Sequence, residues 1–321
     1  MSAEPGYAVT LGETMGLLAA TDTGYLPHIS HMALGIGGAE SNVAVALARL
    51  GTPVTWTGRL GADSLGDRVV RELRGEGIDV RATRDADAPT GLMLKERLPG
   101  GAVKVWYYRS QGAGARLGPS DIDTTLIAGA RLLHITGITP ALSDCAAEAV
   151  RHAVRTARSN GTLVSLDVNY RSALWSPERA RPVLRELLGQ ADLVFAGDDE
   201  AAMVLDRPIG DSEKLALELA ALGPTTAVVK LGANGATACV SDTLLRQPSF
   251  PVDVIDPVGA GDAFVGAYLA EHLAGEDPKA CLATAALAGA LLCTVRGDWE
   301  GMPTRAVLNS WESGRAEDVL R

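Results

Sequence analysis

The sequence lacks the long apolar run, the block of like charges and the leader-like N-terminus that mark membrane, nucleic-acid-binding and secreted proteins. Its longest uncharged stretch, residues 280–295, is shorter than the roughly 20 residues of a membrane-spanning helix and is rich in alanine, so it predicts a buried helix. The formal net charge of -10 is spread along the chain, which favours neither nucleic acid nor membrane as a partner. Residues 1–6 contain no basic region followed by an apolar run, so we expect no secretion signal.

Cysteine is scarce as well. The chain has four cysteines, far apart and without a C-x-x-C pair: Cys145, Cys239, Cys281 and Cys293. This pattern predicts reduced thiols within the core and a cytoplasmic protein. None of the five histidines belongs to an H-E-x-x-H or similar pair, so a structural zinc site is not expected.

Three common nucleotide-binding signatures are absent. The chain has no G-x-x-x-x-G-K-[ST] phosphate loop, no H-R-D catalytic loop and no G-x-G-x-x-G dinucleotide fingerprint. Their absence argues against the usual P-loop NTPase, protein-kinase and Rossmann mechanisms. The glycine-rich stretches that are present therefore call for a different interpretation.

Short β-branched runs alternate with longer helical segments along the chain. This alternation is typical of an α/β fold in which a mostly parallel central sheet carries helices on both faces. Several predicted strands are continuous apolar runs, as expected where both faces of a strand are buried. The predicted strands are 7–11, 54–58, 132–136, 163–167, 193–196, 227–231 and 236–240, and helical spacing covers 39–50, 65–75 and 260–273. We expect one domain, residues 1–321.

Two segments, residues 15–36 and 91–109, break this alternation. In the second, two strand-like runs flank Pro99-Gly100-Gly101, which predicts a hairpin. We expect the two segments to form a small β lid outside the main sheet. Large apolar side chains, including Val103, Val105 and Trp106, are too many for both faces of an isolated hairpin in water, so the outer face of the lid is expected to join two subunits.

The most informative motif is Asp256-Pro257-Val258-Gly259-Ala260-Gly261-Asp262-Ala263-Phe264. Its two glycines permit a tight turn just before an apolar helix, and the free N–H groups at such a helix start bind anions. Asp262 would lie in the first helical turn beside the anion, where a carboxylate can take the proton from a hydroxyl that attacks phosphorus. On local sequence alone, an aspartate that merely caps the helix explains the pattern equally well.

Two further glycine motifs carry less information. The stretch Gly35-Ile36-Gly37-Gly38-Ala39-Glu40-Ser41-Asn42-Val43-Ala44 leads into a helix, and Asn42 offers both a donor and an acceptor to sugar hydroxyls. An ordinary polar residue at a helix start is the alternative. The loop Lys230-Leu231-Gly232-Ala233-Asn234-Gly235-Ala236 would let a nucleotide approach the backbone, although a plain hairpin explains its spacing too.

Taken together, the Gly37-Gly38 motif and the motif from Asp256 to Asp262 resemble the two signatures of the ribokinase-like (PfkB-type) carbohydrate kinases. Their order and separation fit, and the strand–helix alternation between them covers nearly the whole chain. The resemblance implies a ribokinase-like fold that transfers the γ-phosphoryl group of ATP, with Mg2+, to a sugar hydroxyl. It also implies a lid that often forms the dimer interface, and it leaves open whether a monovalent cation such as K+ takes part.

The resemblance further implies roles for individual residues. Asp262 would be the general base, and Gly259, Ala260 and Gly261 would build the anion hole. Glu200 would position magnesium through water, in a segment where Gly197 replaces the asparagine of the family pattern. The nucleotide would be bound by Lys230, Gly232, Asn234 and Gly235, and the sugar by Gly37, Gly38, Asn42, Tyr107, Arg109, Ile138, Arg171 and Asp298.

Finer matches resemble the 2-keto-3-deoxygluconate kinase branch, which phosphorylates the terminal 6-hydroxyl of a keto-deoxy sugar acid. They are Tyr107-Tyr108-Arg109 and residues 137–142, 167–175 and 296–301. In this interpretation Arg109 and Arg171 hold the substrate carboxylate, while Met93 replaces a tyrosine of the branch. A fructokinase- or ribokinase-type neutral-sugar kinase and a noncatalytic sugar or nucleotide sensor are the alternatives. Spacing alone does not distinguish gluconate from galactonate epimers.

Overall fold

A computed structural model describes residues 6–100 and 102–312. Within these residues the strands are β1 (Ala8–Leu11), β2 (Met15–Thr23), β3 (Met32–Gly37), β4 (Val54–Gly61), β5 (Asp79–Asp85), β6 (Leu92–Arg97), β7 (Val103–Tyr108), β8 (Leu132–Thr136), β9 (Leu163–Asp167), β10 (Leu193–Gly197), β11 (Thr226–Lys230), β12 (Ala236–Val240) and β13 (Thr243–Gln247). The helices are α1 (Ala39–Arg49), α2 (Ser64–Gly75), α3 (Thr124–Ala128), α4 (Thr139–Leu142), α5 (Asp144–Asn160), α6 (Pro177–Leu188), α7 (Asp198–Leu205), α8 (Ser212–Ala220), α9 (Ala260–Ala274), α10 (Pro278–Leu292) and α11 (Arg305–Glu312). Gly101 of the predicted turn and residues 1–5 lie outside the described residues.

Nine strands form the central sheet in the order β13-β12-β11-β10-β9-β8-β1-β4-β5. All neighbouring pairs from β11 to β5 are parallel, and β12 and β13 continue the sheet as antiparallel strands. The α/β architecture with a mostly parallel sheet, predicted from the alternation, is thus confirmed.

Side chains of the central strands alternate between two apolar layers, one on each face of the sheet. Leu132 and Leu193 belong to a layer with α1, α2, α9 and α10, whereas Leu133 and Val194 belong to a layer with α5 to α8. Because both faces are covered, these strands are continuous apolar runs rather than alternating ones. In the first layer α1 lies directly on α9, where a Cβ on Gly266 would come within 2.4 Å of Ala46.

A second sheet of four strands, in the order β3-β2-β6-β7, stands apart from the central one. β6 and β7 form the predicted antiparallel hairpin, and β2 pairs with both β3 and β6. Its inner face carries a small apolar cluster of Met15, Leu17 and Met93 with Val105 packed against it. Its outer face leaves Trp106 43% and Tyr108 61% exposed.

The two edge strands of the central sheet, β5 and β13, were not predicted. Each has one neighbour only, and β5 carries four charged side chains among its seven residues, as edge strands commonly do. A pattern search for apolar runs therefore misses them. The prediction that all cysteines lie in the core was wrong for Cys145, which is exposed in the first turn of α5, although all four thiols are free as expected.

No helix in the described part of the chain combines the length and the apolar character needed to cross a membrane. The alanine-rich stretch 280–295 instead falls largely in α10, whose buried side chains include Leu282, Leu287 and Leu292. The interpretation of that stretch as a buried helix is therefore confirmed.

Candidate active site

A cavity of about 510 Å³ lies between the carboxyl ends of the central strands and the inner face of the small sheet. Asp167, Gly197 and Lys230 end the parallel strands β9, β10 and β11 and line its floor, and Met93 and Tyr107 line it from the small sheet. The carboxyl edge of an open parallel sheet is where such folds place their ligands.

The turn before α9 reaches this cavity. Gly259 has a φ of 85° and caps the helix, and a Cβ there would lie 1.9 Å from the carbonyl oxygen of Asp298, so only glycine fits. Gly259 and Gly261 line the cavity, and Ala260 begins the helix. Backbone N–H groups at the start of a helix have no acceptor within the helix, so this turn is a suitable site for an anion.

Asp262 lies in the first turn of α9 and lines the same cavity. Its Oδ2 accepts a hydrogen bond of 2.8 Å from Asn42 Nδ2. Burial raises the pKa of Asp262 to about 7; the Asn42 hydrogen bond and the positive charges of Lys230 and Arg171 oppose the rise, and the negative charge of Asp167 adds to it. A carboxylate with a pKa near 7 is well matched to accepting a proton at neutral pH.

Lys230 and Asp167 form a buried ion pair beside Asp262. Lys230 Nζ lies 2.8 and 2.7 Å from the two carboxylate oxygens of Asp167. Burial opposes the charged form, yet Asp167 and Glu200 attract the ammonium strongly enough to raise the pKa of Lys230. The ammonium therefore stays charged, with Asp167 as its paired carboxylate.

Glu200, in the first turn of α7, is held by backbone groups. Its two carboxylate oxygens accept hydrogen bonds of 2.8 Å from Tyr170 N and 2.7 Å from Gly197 N. The partner of this carboxylate at position 197 is the backbone N–H, which glycine and asparagine supply equally. Burial raises the pKa of Glu200, and nearby Lys230 counteracts the rise.

The opposite end of the cavity holds buried acids that the motif search missed. Glu13 follows β1 and forms an ion pair with Arg109, and both side chains are less than a tenth exposed. Glu40 accepts hydrogen bonds of 2.7 Å from the hydroxyls of Thr136 and Thr139. Arg109 is therefore a compensated cation, not a free one. No local pattern could identify these acids, because their partners come from distant parts of the chain.

Most of the predicted site residues surround the cavity. Gly38, Asn42, Tyr107, Arg109, Ile138, Arg171, Glu200, Lys230 and Asp298 line it together with the α9 turn. Gly37 is not among the lining residues, but a Cβ there would collide with Met93 and with the carboxylate of Asp298. Asn234 lies in an exposed loop and lines neither this cavity nor the adjoining one, so the structure does not bring it to the site.

A second cavity of about 640 Å³ adjoins the first. The two share Lys230, Pro257 and Gly261, and the second is mostly apolar, with Phe250, Val252, Phe264, Ala286 and Ala290 in its wall. Gly232 and Gly235 also line it. A flat apolar group could occupy this second cavity while an anionic group attached to it reaches the α9 turn.

The fold and the site place the start of α9 between an apolar cavity and a polar one, with the carboxylate of Asp262 beside it, and this arrangement suits a phosphotransferase. A family model described as "pfkB family carbohydrate kinase" matches residues 6–305. The chain belongs to this family and is a carbohydrate kinase.

Individual proteins are similar over nearly the full chain. A 2-dehydro-3-deoxygalactonokinase of Haloferax volcanii is 38% identical, covering 90% of this chain and 92% of the relative. A 2-dehydro-3-deoxygluconokinase of Thermoproteus tenax is 36% identical, covering 92% and 91%.

Solved structures agree with this assignment. The 2-dehydro-3-deoxygluconokinase of Thermotoga maritima superposes with a TM-score of 0.89 at 27% identity, covering 96% of this chain and 100% of that one. An E. coli protein provisionally named ribokinase II, in complex with ATP and Mg2+, superposes with a TM-score of 0.88 at 25% identity, covering 96% and 99%.

Proposed function

We propose that this kinase transfers the γ-phosphoryl group of ATP to the 6-hydroxyl of 2-keto-3-deoxygluconate, with Asp262 as the general base. The observation that carries the proposal is the position of Asp262, which lines the polar cavity from the first turn of α9, next to Gly261, which lines both cavities. The hydroxyl would approach from the polar cavity and the phosphoryl group from the apolar one. Asp262 would then take the hydroxyl proton as the oxygen attacks phosphorus.

The second cavity suits the nucleotide. Its apolar wall would accept the adenine, and Gly232 and Gly235 would let the backbone approach closely. Lys230 and the N–H groups of the α9 turn would contact the phosphates where the two cavities join. Lys230 carries a full positive charge and the N–H groups carry partial positive charges, so both attract phosphate. The similar E. coli protein solved in complex with ATP and Mg2+ supports ATP as the nucleotide.

The carboxylates of the site fit a magnesium ion that arrives with the nucleotide. Among the described residues, no three histidine, cysteine, aspartate or glutamate side chains gather into a metal site. Mg2+ commonly keeps several waters and uses one or two carboxylates plus substrate phosphates. A site with one or two available carboxylates is therefore sufficient for Mg2+ bound to ATP. Both oxygens of Glu200 already accept backbone N–H groups, which favours contact through water, while the exposed Asp199 lines the same cavity. Bound Mg2+ would neutralise phosphate charge.

The sugar end combines hydrogen-bonding groups with cations. Asn42 Oδ1 is buried and has no hydrogen-bond partner among the described residues, so it would accept from a sugar hydroxyl. Arg171 is exposed at the rim, and within the described residues its guanidinium donates a single hydrogen bond, of 3.3 Å to the Tyr170 carbonyl, so it would bind the substrate carboxylate. Arg109, already paired with Glu13, would assist it.

A substrate panel tests this proposal. With ATP and Mg2+, we expect the highest kcat/KM for 2-keto-3-deoxygluconate or its galactonate epimer, the class of sugar in the names of the Haloferax and Thermoproteus relatives. Fructose or ribose as the best substrate would instead establish a neutral-sugar kinase. Binding of sugar or ATP without turnover on any sugar would point to a sensor. Parallel assays with and without K+ decide whether the monovalent cation takes part.

We also propose that the small sheet acts as a lid and joins two subunits through its outer face. Trp106 and Tyr108 of β7 and Leu34 of β3 lie on that face and are exposed, and Tyr25, between β2 and β3, is exposed as well. Large apolar side chains that cluster on one face of a sheet in this way usually mark a protein interface.

A further inference from the structure

The inner face of β6 carries a row of side chains that runs from the polar cavity, where the sugar would bind, to the α9 turn. Met93 lines the cavity, and two residues further on the same face Lys95 points at the carboxylates of Asp256 and Asp298. Lys95 is 2% exposed although it lies on a small sheet at the surface, and it is not among the residues that line either cavity. Lys95 therefore contacts neither solvent nor the cavities in which the substrates would bind.

The ammonium of Lys95 bridges two parts of the site. Lys95 Nζ lies 2.8 Å from Asp256 Oδ2 and 2.7 Å from Asp298 Oδ1. Asp256 begins the turn that leads into α9, and Asp298 lines the sugar cavity. One lysine from the small sheet thus forms ion pairs with two buried acids of the central domain.

Asp256 connects this charge directly to the anion-binding turn. Its carboxylate accepts hydrogen bonds of 3.3 Å from Val258 N and of 2.5 Å from Arg97 Nη2, and it is completely buried. Arg97 is the next residue on the inner face of β6 after Lys95. Burial alone would raise the pKa of Asp256, but the hydrogen bond and charge of Lys95 lower it, so the carboxylate stays ionised.

Asp298 fixes the same turn from the other side. Its backbone carbonyl packs so closely on Gly259 that no Cβ fits between them, while its side chain binds Lys95. If the ammonium moved, the backbone of the turn from Asp256 to Gly261 would therefore be displaced at two places, at Asp256 and at Gly259.

We propose that Lys95 is a positioning residue that couples the small sheet to the anion-binding turn, so that the turn is correctly built for phosphoryl transfer only when this sheet is seated on the central domain. The proposal rests on the proposed function, because it assigns the turn to the phosphoryl group. Without the ammonium, Asp256 and Asp298 would be two buried carboxylates facing each other, which must separate or take up a proton. Either response would move the N–H groups of the turn.

Steady-state kinetics of Lys95→Met test the coupling, with Lys104→Met as the matched control. Lys104 is exposed on the same sheet, where it lies 3.9 Å over the Trp106 ring. Measured well below the unfolding temperature of each variant, we expect Lys95→Met to lower kcat at least about tenfold with the KM for ATP within about threefold of wild type. Lys95→Arg should recover most of the loss, and Lys104→Met should match wild type. A folded Lys95→Met with kcat within twofold of wild type would overturn the proposal.

Hydrogen–deuterium exchange without any substrate gives a second, independent result. We expect amides 257–261 to exchange faster in Lys95→Met than in wild type or Lys104→Met; equal exchange rates would show that the turn does not depend on Lys95. Because this readout needs no sugar, it still decides the proposal if the enzyme phosphorylates none of the tested sugars and the proposed function fails. Should Lys95→Met not fold, Arg97→Met receives both measurements, and a smaller change in the same direction is expected; no change in either would overturn the coupling.

Discussion

Asn42 and Asp262, 220 residues apart in the chain, are joined by a hydrogen bond of 2.8 Å from the amide to the carboxylate. The first residue belongs to the glycine motif near the N-terminus and the second to the motif near the C-terminus. The bond orients the carboxylate towards the polar cavity and lowers the cost of ionising it. Both effects lead to measurable expectations.

Asp262→Asn should keep the fold and ATP binding but lose turnover. A general base contributes about 10² to 10⁴-fold to the rate, so kcat should fall by about that factor. A coupled assay measures kcat, and calorimetric titration measures ATP binding. Asp144→Asn, an exposed aspartate in the first turn of α5, is the control and should behave as wild type. Retention of more than half the wild-type kcat would exclude Asp262 as the base.

The same variant should change how stability depends on pH. Burial raises the pKa of Asp262 from its ordinary value of 3.8 to about 7, so between these values the native state holds a proton that the unfolded chain has released. Wild type therefore loses stability as pH rises through this range, and the loss is complete above about 7. Asp262→Asn has no such loss, so its melting temperature relative to wild type should rise from pH 4.5 to pH 8. A constant difference would contradict the raised pKa.

Asn42→Ala, which removes the amide that donates to Asp262, should shift the pH dependence of kcat/KM. The base works when deprotonated, so kcat/KM should rise with pH and level off above about 7. Because the Asn42 hydrogen bond lowers the pKa of Asp262, Asn42→Ala should shift the midpoint of this rise to higher pH. Profiles from pH 5.5 to 9 measure the shift. An unchanged midpoint with a lower plateau would mean that Asn42 contacts only the sugar.

Arg171→Ala should impair the keto acid selectively. Losing one charge-assisted contact costs roughly 1.5 to 3 kcal/mol, which is about ten- to a hundredfold in kcat/KM. A reduced analogue without the carboxylate should be a poor substrate for wild type and should hardly respond to the substitution. Arg179→Ala, an exposed arginine of α6, is the control. Equal losses on acid and neutral sugars would make Arg171 a structural residue and would favour the fructokinase interpretation.

The buried pair of Glu13 and Arg109 should be strongly coupled. Glu13→Gln leaves the guanidinium without its counter-charge, and breaking a buried pair in this way costs about 3 to 5 kcal/mol of unfolding free energy. The double variant Glu13→Gln/Arg109→Met should be less destabilised than the sum of the two single variants. Urea unfolding of all four proteins gives the cycle. Additive effects would show that the two side chains do not stabilise each other.

Trp106→Glu should convert a dimer to a monomer, because it places a charge on the exposed face of the small sheet. Trp106 is 43% exposed, and Leu217 on α8, at 40%, is a matched apolar side chain on another surface. Light scattering should give a dimer for wild type and Leu217→Glu and a monomer for Trp106→Glu. A monomeric wild type at all micromolar concentrations would refute this interface.

The sequence predicts the buried strands well and the edges poorly. The predicted ranges for β8, β9 and β12 coincide with the observed strands, because each is an apolar run bounded by turn residues. β5 has four charged residues among its seven, and β13 has only two apolar residues among its five, so neither produces such a run. Their positions depend on pairing with a neighbour, which a local pattern does not contain.

In the active site too, local sequence predicts some residues and misses others. Glycine turns such as that at Gly259 are local, so their sequence points to a ligand site. The partners of Lys95 and Arg109 are not local: Lys95 meets Asp298 across 203 residues and looks like an ordinary strand lysine in the sequence. Only the packing of the small sheet on the central domain shows that these charges are compensated.

The contact of α1 with α9 also forms only late in the synthesis of the chain. Val43, Ala46 and Leu47 of α1 are buried partly against a helix that the ribosome makes about 220 residues later. At about 5 to 20 residues per second, the growing chain carries this apolar helix face uncovered for roughly 10 to 40 s. A product of premature termination before α9 would keep that face exposed permanently, and it could never bring an aspartate to Asn42.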